Sequence, residues 1–194
     1  MPLFTGALIA ANILVFLLQQ ALGNQIVNWF ALWPPARSAW AESSLWAPWQ
    51  LLSYAFLHGG VMHLAFNMFG LWMFGGALER VWGARRVALA YVASVFFGAA
   101  AQMCAAMLIG SGDAPVVGAS AGVFGLMLAY ALAFPDSRIM LLIPPIALPA
   151  KLFVLLYAIV ELTLGVTGTQ AGVAHFAHLG GLIGGWLVVR FGRT

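Results

Sequence analysis

One serine of this sequence stands where it could act as a nucleophile. Ser120 lies in the stretch 117–125, which reads VGASAGVFG, with Gly118 two residues before it and Gly122 two residues after it. Glycines permit a tight turn and a close backbone approach, and a serine at such a turn presents its hydroxyl beside a backbone N–H donor. The same pattern is also typical of a small-residue face that packs against a neighbouring membrane helix. The stretch alone leaves both interpretations open.

Histidine and asparagine side chains in two other stretches could complete such a site. His63 and Asn67 are four residues apart, which places them on one face of a helix. His178 stands before a run of glycines, so the helix face that carries it can approach a neighbour closely. A serine beside a neutral imidazole is an activated nucleophile, and two further donors can hold an oxyanion. Phe124 shares a face with Ser120, so its ring can brace an imidazole there.

The composition is that of an integral membrane protein. Of the 194 residues, 63% are hydrophobic and only 7% are charged, and the mean hydropathy is +0.99. A soluble domain is about 25% charged. The net charge of +3 comes from a few basic residues at segment ends, which does not predict nucleic-acid binding. The single cysteine, Cys104, allows no disulfide within the chain and is interpreted as a small core residue.

The apolar pattern predicts an all-α fold, a polytopic bundle of six transmembrane helices that forms one membrane domain over residues 1–194. The predicted spans are 3–22, about 53–78, about 87–109, 120–134, 151–164 and about 173–189. The first is expected to be a membrane helix rather than a cleaved signal, because it lacks a basic start and is long enough to span. The tryptophan-rich stretch 23–50 is expected to lie in the headgroup interface.

The distribution of basic residues predicts the orientation. With six spans both termini lie on one side of the membrane, and seven of the eight lysines and arginines fall on that side. Arg37 is the exception. The positive-inside rule therefore predicts cytoplasmic termini and a tryptophan-rich loop that faces outward.

The polar residues of three predicted spans fall at one depth. At about 1.5 Å per residue from the predicted inner ends, Ser120, His63, Asn67 and His178 lie about 5 to 12 Å below the outer face. Polar side chains at that depth are unfavourable unless they pair or face a water-filled cavity. We expect no acidic side chain in a position to orient His178, so the sequence predicts a dyad rather than a triad.

The remaining polar residues receive structural interpretations. His58 is expected to be structural or to hold water, and His175 to lie at the rim of the site. Glu161, near the outer end of the predicted fifth span, is expected to snorkel or to pair with a loop. Glu79 is interpreted as part of a charge cluster at the membrane edge, and Gln102 as an interhelical hydrogen-bonding residue. A metal site built from the four histidines is disfavoured because no carboxylate or cysteine joins them, so no metal or other cofactor is expected.

Four motifs in chain order resemble those of the rhomboid intramembrane serine proteases. Residues 118–120 are similar to the G-x-S nucleophile motif, and residues 177–181 to the A-H-x-x-G motif of the base. Residues 63–67 match H-x-x-x-N, and residues 75–83 match a structural G-x-x-x-E-x-x-x-G motif. The likeness runs from Trp49 to Gly185 and fits the minimal six-helix bacterial form. One departure is Ala121, where the family often has glycine directly after the serine.

The resemblance implies roles for individual residues. It implies Ser120 and His178 as the catalytic pair, and oxyanion-stabilising or substrate-binding roles for the residues His63, Asn67, Gly118, Ala119 and Phe124. It implies single-span membrane proteins as substrates, a mobile fifth span that admits them, and a bacterial cytoplasmic membrane with the site open to the outer side. Two alternatives stay open: a non-catalytic relative that binds transmembrane segments, and a small transporter that uses the polar layer.

Overall fold

The computed structural model describes residues 1–33, 46–110, 114–140, 145–169 and 173–192. In chain order the helices are α1 (Leu3–Leu22), α2 (Asn24–Phe30), α3 (Gln50–Ser53) with a 3₁₀ turn (Tyr54–Phe56), α4 (Val61–Gly70), a π turn (Leu71–Gly75), α5 (Gly76–Trp82), α6 (Ala84–Ile109), α7 (Ser120–Ala133), α8 (Ala150–Thr167) and α9 (His175–Phe191). Two short strands, β1 (Arg138–Met140) and β2 (Ala147–Pro149), pair antiparallel with Ile139 opposite Leu148.

Within the described ranges, four helices are long and apolar enough to cross a membrane. They are α1, the continuous helix Val61–Trp82 made of α4, the π turn and α5, then α6 and α8. The predicted all-α membrane bundle is confirmed. The count of six spans stays a prediction, because α7 has 14 residues and α9 has 17.

Two predicted boundaries are wrong. The second span begins at Val61 rather than near residue 53, because the chain leaves the helix after Phe56 and passes through Gly59 and Gly60 before it turns helical again. The second wrong boundary is the end of the predicted proline-broken loop 143–149, because residues 147–149 form β2, and three residues are too few for an alternating pattern to be recognised. Parts of three predicted loops lie outside the described residues, namely 34–45 with Arg37 and Trp40, 141–144 and 170–172, as do 111–113 and Arg193.

Helix α9 is wedged between α6 and α7 at backbone-to-backbone distance. A Cβ on Gly181 would overlap the carbonyl oxygen of Ala121 in α7, and one on Gly180 would overlap that of Phe97 in α6. Small residues allow helices to approach this closely in a bilayer, where packing rather than hydrophobicity drives association. The glycine run after His178 therefore positions α9 against the first turn of α7.

A buried carboxylate fastens α1 to α5. Glu79, only 8% exposed, accepts hydrogen bonds from the backbone N–H groups of Phe4 and Thr5, each at 2.8 Å, and from the Thr5 hydroxyl at 2.6 Å. These two N–H groups belong to the first turn of α1, where no intrahelical acceptor exists and the helix dipole favours a negative charge. The interpretation of Glu79 as part of a membrane-edge charge cluster is therefore wrong, because its carboxylate is buried and caps the N-terminus of α1.

Candidate active site

The site forms where the first turn of α7 meets α9. Ser120 is the first residue of α7, and its Oγ lies 2.8 Å from Nε2 of His178. Both side chains face a cavity of about 570 Å³ that is lined by residues of α4, α7, α8 and α9. At this distance the imidazole can accept the serine proton when Nε2 is unprotonated.

The turn that presents Ser120 is fixed by backbone hydrogen bonds. Val116 and Leu32 exchange two of them, at 2.8 and 3.0 Å, and the N–H of Gly118 donates to the carbonyl of Tyr54 at 3.0 Å. Gly118 has φ of +127°, a conformation that favours glycine. A Cβ there would also lie 2.8 Å from Nε2 of His63, so glycine leaves the space that the imidazole occupies.

His63 and Asn67 line the same cavity as Ser120, as the sequence predicts. The Asn67 amide nitrogen donates one hydrogen bond, at 2.9 Å, to the backbone carbonyl of His63 one turn earlier. An asparagine amide carries two N–H bonds, and the described residues accept a hydrogen bond from it at one place, the carbonyl of His63. The two side chains thus offer donors on the α4 wall of the cavity, opposite α9.

Phe124 braces the imidazole of His178, and the helix periodicity predicts such a contact from the shared face of Ser120 and Phe124. Its ring stacks on that of His178 with centroids 4.3 Å apart and planes inclined by only 5°. Tyr157 of α8 contacts the Phe124 ring edge-on, with centroids 5.8 Å apart. The stacked ring restricts rotation of the His178 imidazole out of its plane.

A carboxylate approaches His178 from α8. Oε2 of Glu161 lies 3.0 Å from Nδ1 of His178, an ion-pair distance without the alignment of a good hydrogen bond. The same oxygen makes an aligned hydrogen bond of 2.6 Å with Nδ1 of His175. The prediction that no acidic side chain reaches His178 is wrong, and so is the placement of Glu161 toward a loop.

His175 and His58 are both buried. His175 is 5% exposed and pairs with Glu161, so its predicted place at the rim is wrong. His58 is fully buried, and its ring packs edge-on against that of His63 with centroids 5.2 Å apart. Neither ring nitrogen of His58 has a hydrogen-bond partner among the described residues. A structural or water-holding role for His58 stays a prediction.

The cluster of Glu161, His175 and His178 contains the ligand types of a metal site. Their nitrogen and oxygen atoms all lie within 4.8 Å of one another, so a carboxylate does join two of the histidines. The contacts of 2.6 and 3.0 Å are hydrogen-bond distances, however, and two ligands of a tetrahedral zinc ion would lie about 3.3 Å apart. Both contacts are therefore shorter than the separation of two ligands on one zinc ion.

The sequence contained a signal for Glu161 that the predicted helix boundary concealed. With the fifth span ending at 164, Glu161 fell within one turn of its outer end, whereas α8 continues to Thr167. Counted from Ala150 at the helical rise, Glu161 stands about 16 Å up α8, and His178 about 18 Å above Arg190 in α9. A carboxylate at the depth of the polar layer needs a buried partner there, and the nearest were the histidines.

Comparison with known proteins identifies relatives along the chain. A family model described as the Rhomboid domain matches residues 45–193. Rhomboid protease GluP of Bacillus subtilis is 30% identical over 95% of this chain and 34% of its own length. RHOMBOID-like protein 4 of Arabidopsis thaliana is 38% identical over 72% of this chain and 33% of its own length. Rhomboid protease GlpG of Serratia proteamaculans is 30% identical over 96% of this chain and 61% of its own length. The chain thus spans between a third and three fifths of the length of these relatives.

Proposed function

The chain belongs to the rhomboid family, and from that membership we propose that it is an intramembrane serine endopeptidase that cleaves transmembrane segments of other membrane proteins. The observation that carries the proposal is the 2.8 Å contact between the Ser120 hydroxyl and His178 Nε2, inside a membrane helical bundle. Two of its relatives are named as rhomboid proteases.

Ser120 is the proposed nucleophile and His178 the proposed general base. The serine Oγ attacks the carbonyl carbon of the scissile peptide bond while its proton passes to Nε2 of His178. The resulting oxyanion collapses, the C–N bond breaks, and the same proton is delivered to the leaving amine. A water molecule, deprotonated by His178, then hydrolyses the acyl ester and regenerates the serine.

The oxyanion is proposed to bind between α4 and the start of α7. The backbone N–H of Ser120, the His63 side chain and a side-chain N–H of Asn67 are the donors in this proposal. Their shared lining of the cavity supports it. Gly118 and Ala119 form the turn that leaves the Ser120 N–H at the start of the helix, where no intrahelical acceptor exists.

Substrate is proposed to enter from the lipid between α4 and α8, since both helices line the cavity. A peptide bond inside a helix is shielded by its i to i−4 hydrogen bonding, so the substrate helix must unwind locally. Glycine and proline, which weaken a helix by about 1 and 3 kcal/mol, should favour cleavage. Small residues are expected just before the cut, because the Gly118 turn lies close to the Ser120 hydroxyl and to the His63 ring.

We propose that residues 1–194 form one multi-pass domain in the cytoplasmic membrane, with cytoplasmic termini and a site open to the outer side. The capping of α1 by Glu79 supports inclusion of α1, which precedes the residues that match the family model. Single cysteines at positions 43 and 137, in a Cys104→Ala background, test the orientation. An impermeant reagent added outside should label position 43 and spare position 137, and the reverse pattern would overturn the orientation.

Covalent labelling of Ser120 tests the activity. The purified protein should react with a fluorophosphonate and cleave a single-span model substrate in detergent or liposomes, and Ser120→Ala should do neither. A folded protein that binds the substrate span without labelling or cleavage would instead be a non-catalytic binder. Uptake of a solute into liposomes, with no labelling, would identify a transporter.

A further inference from the structure

We propose that Glu161 is a positioning residue for His178 and that His175 anchors it, so that the two histidines and the carboxylate work as one buried cluster behind the nucleophile. The inference rests on the proposed protease activity and adds two residues to its machinery. The three side chains come from two helices, Glu161 from α8 and both histidines from the first turn of α9.

One carboxylate oxygen serves both imidazoles. Oε2 of Glu161 lies 2.6 Å from Nδ1 of His175 and 3.0 Å from Nδ1 of His178. The exposed fractions of Glu161 and His175 are only 7% and 5%. A buried carboxylate without partners is highly unfavourable, so these contacts hold it in place. The position of the oxygen is therefore set by His175 and presented to His178.

The placement matters for proton transfer because His178 has two ring nitrogens with different tasks. To accept the Ser120 proton at Nε2, the neutral imidazole must carry its own proton at Nδ1. A carboxylate oxygen 3.0 Å from Nδ1 favours that tautomer and stabilises the imidazolium once the second proton arrives. Phe124 holds the plane of the ring, and Glu161 selects which nitrogen is protonated.

His175 gives the anchor its direction. Nδ1 of His175 is hydrogen-bonded to Oε2 of Glu161, and His175 is the first residue of α9. The carboxylate is therefore tied to the same helix turn that carries His178. Glu161 is also one of only three buried residues in the described length of α8, with Ala150 and Val154. The contact therefore links the seating of α8 to the orientation of the proposed base.

Two matched pairs of variants separate positioning from stability. Glu161→Gln removes the charge at nearly constant shape, and Glu161→Asp retains it on a shorter stem. His175→Leu removes the anchoring donor, and His175→Asn retains a donor near the position of Nδ1. Glu79→Gln, the same substitution at the other glutamate that is buried among the described residues, is the control for charge loss in the bundle.

The readouts are kcat, KM and the rate of fluorophosphonate labelling of Ser120, each normalised to folded protein. Glu161→Gln should lower kcat about 100-fold with KM little changed, less than the ~10⁴-fold that follows loss of the orienting acid in a serine protease triad, because the contact here is imperfectly aligned. Glu161→Asp and His175→Asn should recover part of the loss, and His175→Leu should lower kcat about 10-fold. Glu161→Gln combined with His175→Leu should be little worse than Glu161→Gln alone, because both disturb one unit.

Failure of the inference is distinguishable from failure of the proposed function. If Glu161→Gln turned over as fast as the Glu79→Gln control while Ser120→Ala was dead, the positioning role would be overturned and the protease activity retained. If wild-type protein neither labelled nor cleaved, the proposed function itself would be wrong. If a chelator abolished wild-type activity and zinc restored it, the cluster would be a metal centre and not a proton-positioning device.

Discussion

The described part of the chain contains two buried glutamates whose surroundings differ in kind. Glu79 and Glu161 are almost equally buried, at 8% and 7% exposed, and each lies in a helix apolar enough to cross a membrane. Glu79 is satisfied by two backbone N–H groups and one hydroxyl at the start of α1. Glu161 is satisfied by two imidazoles.

On our proposal, that difference separates a structural charge from a functional one. Backbone amides and a threonine hydroxyl do not exchange their protons with a carboxylate near neutral pH, so the partners of Glu79 fix a helix end and nothing more. An imidazole has one ring nitrogen that can accept a proton and one that can donate it, so the partners of Glu161 can take part in proton transfer. Burial alone does not identify a functional carboxylate; the chemistry of its partners does.

Substitutions at the proposed catalytic pair should have the largest effect on turnover, and they test whether Glu161 stands beside a reacting histidine. Ser120→Ala and His178→Ala should each lower turnover of a single-span substrate by about 10⁶-fold, as loss of a nucleophile or base does in a serine protease. Thermal unfolding in detergent should change little for Ser120→Ala. Turnover of His178→Ala is normalised to folded protein, because that change also removes the ring stacked on Phe124 and one partner of Glu161. Measurable turnover by either folded variant would remove that residue from the chemistry and leave Glu161 beside an inert histidine.

The opposite wall of the cavity offers the next largest effect. His63→Ala and Asn67→Ala should each lower kcat about 100-fold, the usual effect of losing one oxyanion donor, while Ser120 still reacts with a fluorophosphonate more slowly. Met62→Ala is the control, because Met62 lies in the same helix but is 64% exposed. If both variants turned over at the wild-type rate, His63 and Asn67 would have no part in the reaction. The polar residues proposed for the site would then all come from α7, α8 and α9.

The sequence predicted the residues of this wall and of the proposed pair because short local patterns place them. Residues i and i+4 share a helix face, which accounts for His63 with Asn67 and for Ser120 with Phe124. The contact of Glu161 with the histidines was not predicted, because these partners lie on another helix and because the depth of Glu161 depends on where α8 ends. The contacts of Glu79 were not predicted for a similar reason, since its donors stand more than 70 residues earlier and their need for an acceptor depends on where α1 begins.

The structural side of the comparison is tested by unfolding rather than by turnover. Glu79→Gln should lower the free energy of unfolding by about 1–2 kcal/mol, because it weakens charge-assisted caps on the first turn of α1. The kcat of the folded protein should not change. Thr5→Val, which deletes one of the three hydrogen bonds, should show a smaller loss in the same assay. A fall in kcat for Glu79→Gln would mean that both glutamates serve the site.

The smallest effect is expected at Phe124, whose ring stacks on the imidazole of His178. Phe124→Leu removes the stacked ring and should lower kcat about 2- to 10-fold, in line with 0.5–1.5 kcal/mol for an aromatic pair. Phe124→Tyr keeps the ring face and is the matched control. If Phe124→Leu had the same kcat as the wild-type protein, the stacked ring would not be needed, and Glu161 and His175 alone would orient His178.

The cap on α1 also sets an order of events during synthesis. Phe4 and Thr5 leave the ribosome 75 and 74 residues before the carboxylate that binds them. At about 5–20 residues per second that interval lasts about 4 to 15 s. Throughout it the first turn of α1 has no protein acceptor from α5, and its amides must rely on water and lipid headgroups at the membrane surface. The cap that fixes the first turn of α1 can therefore form only after α5 has been made, whereas the hydrogen bonds between Gln19 and the backbone of His58 need a shorter length of chain.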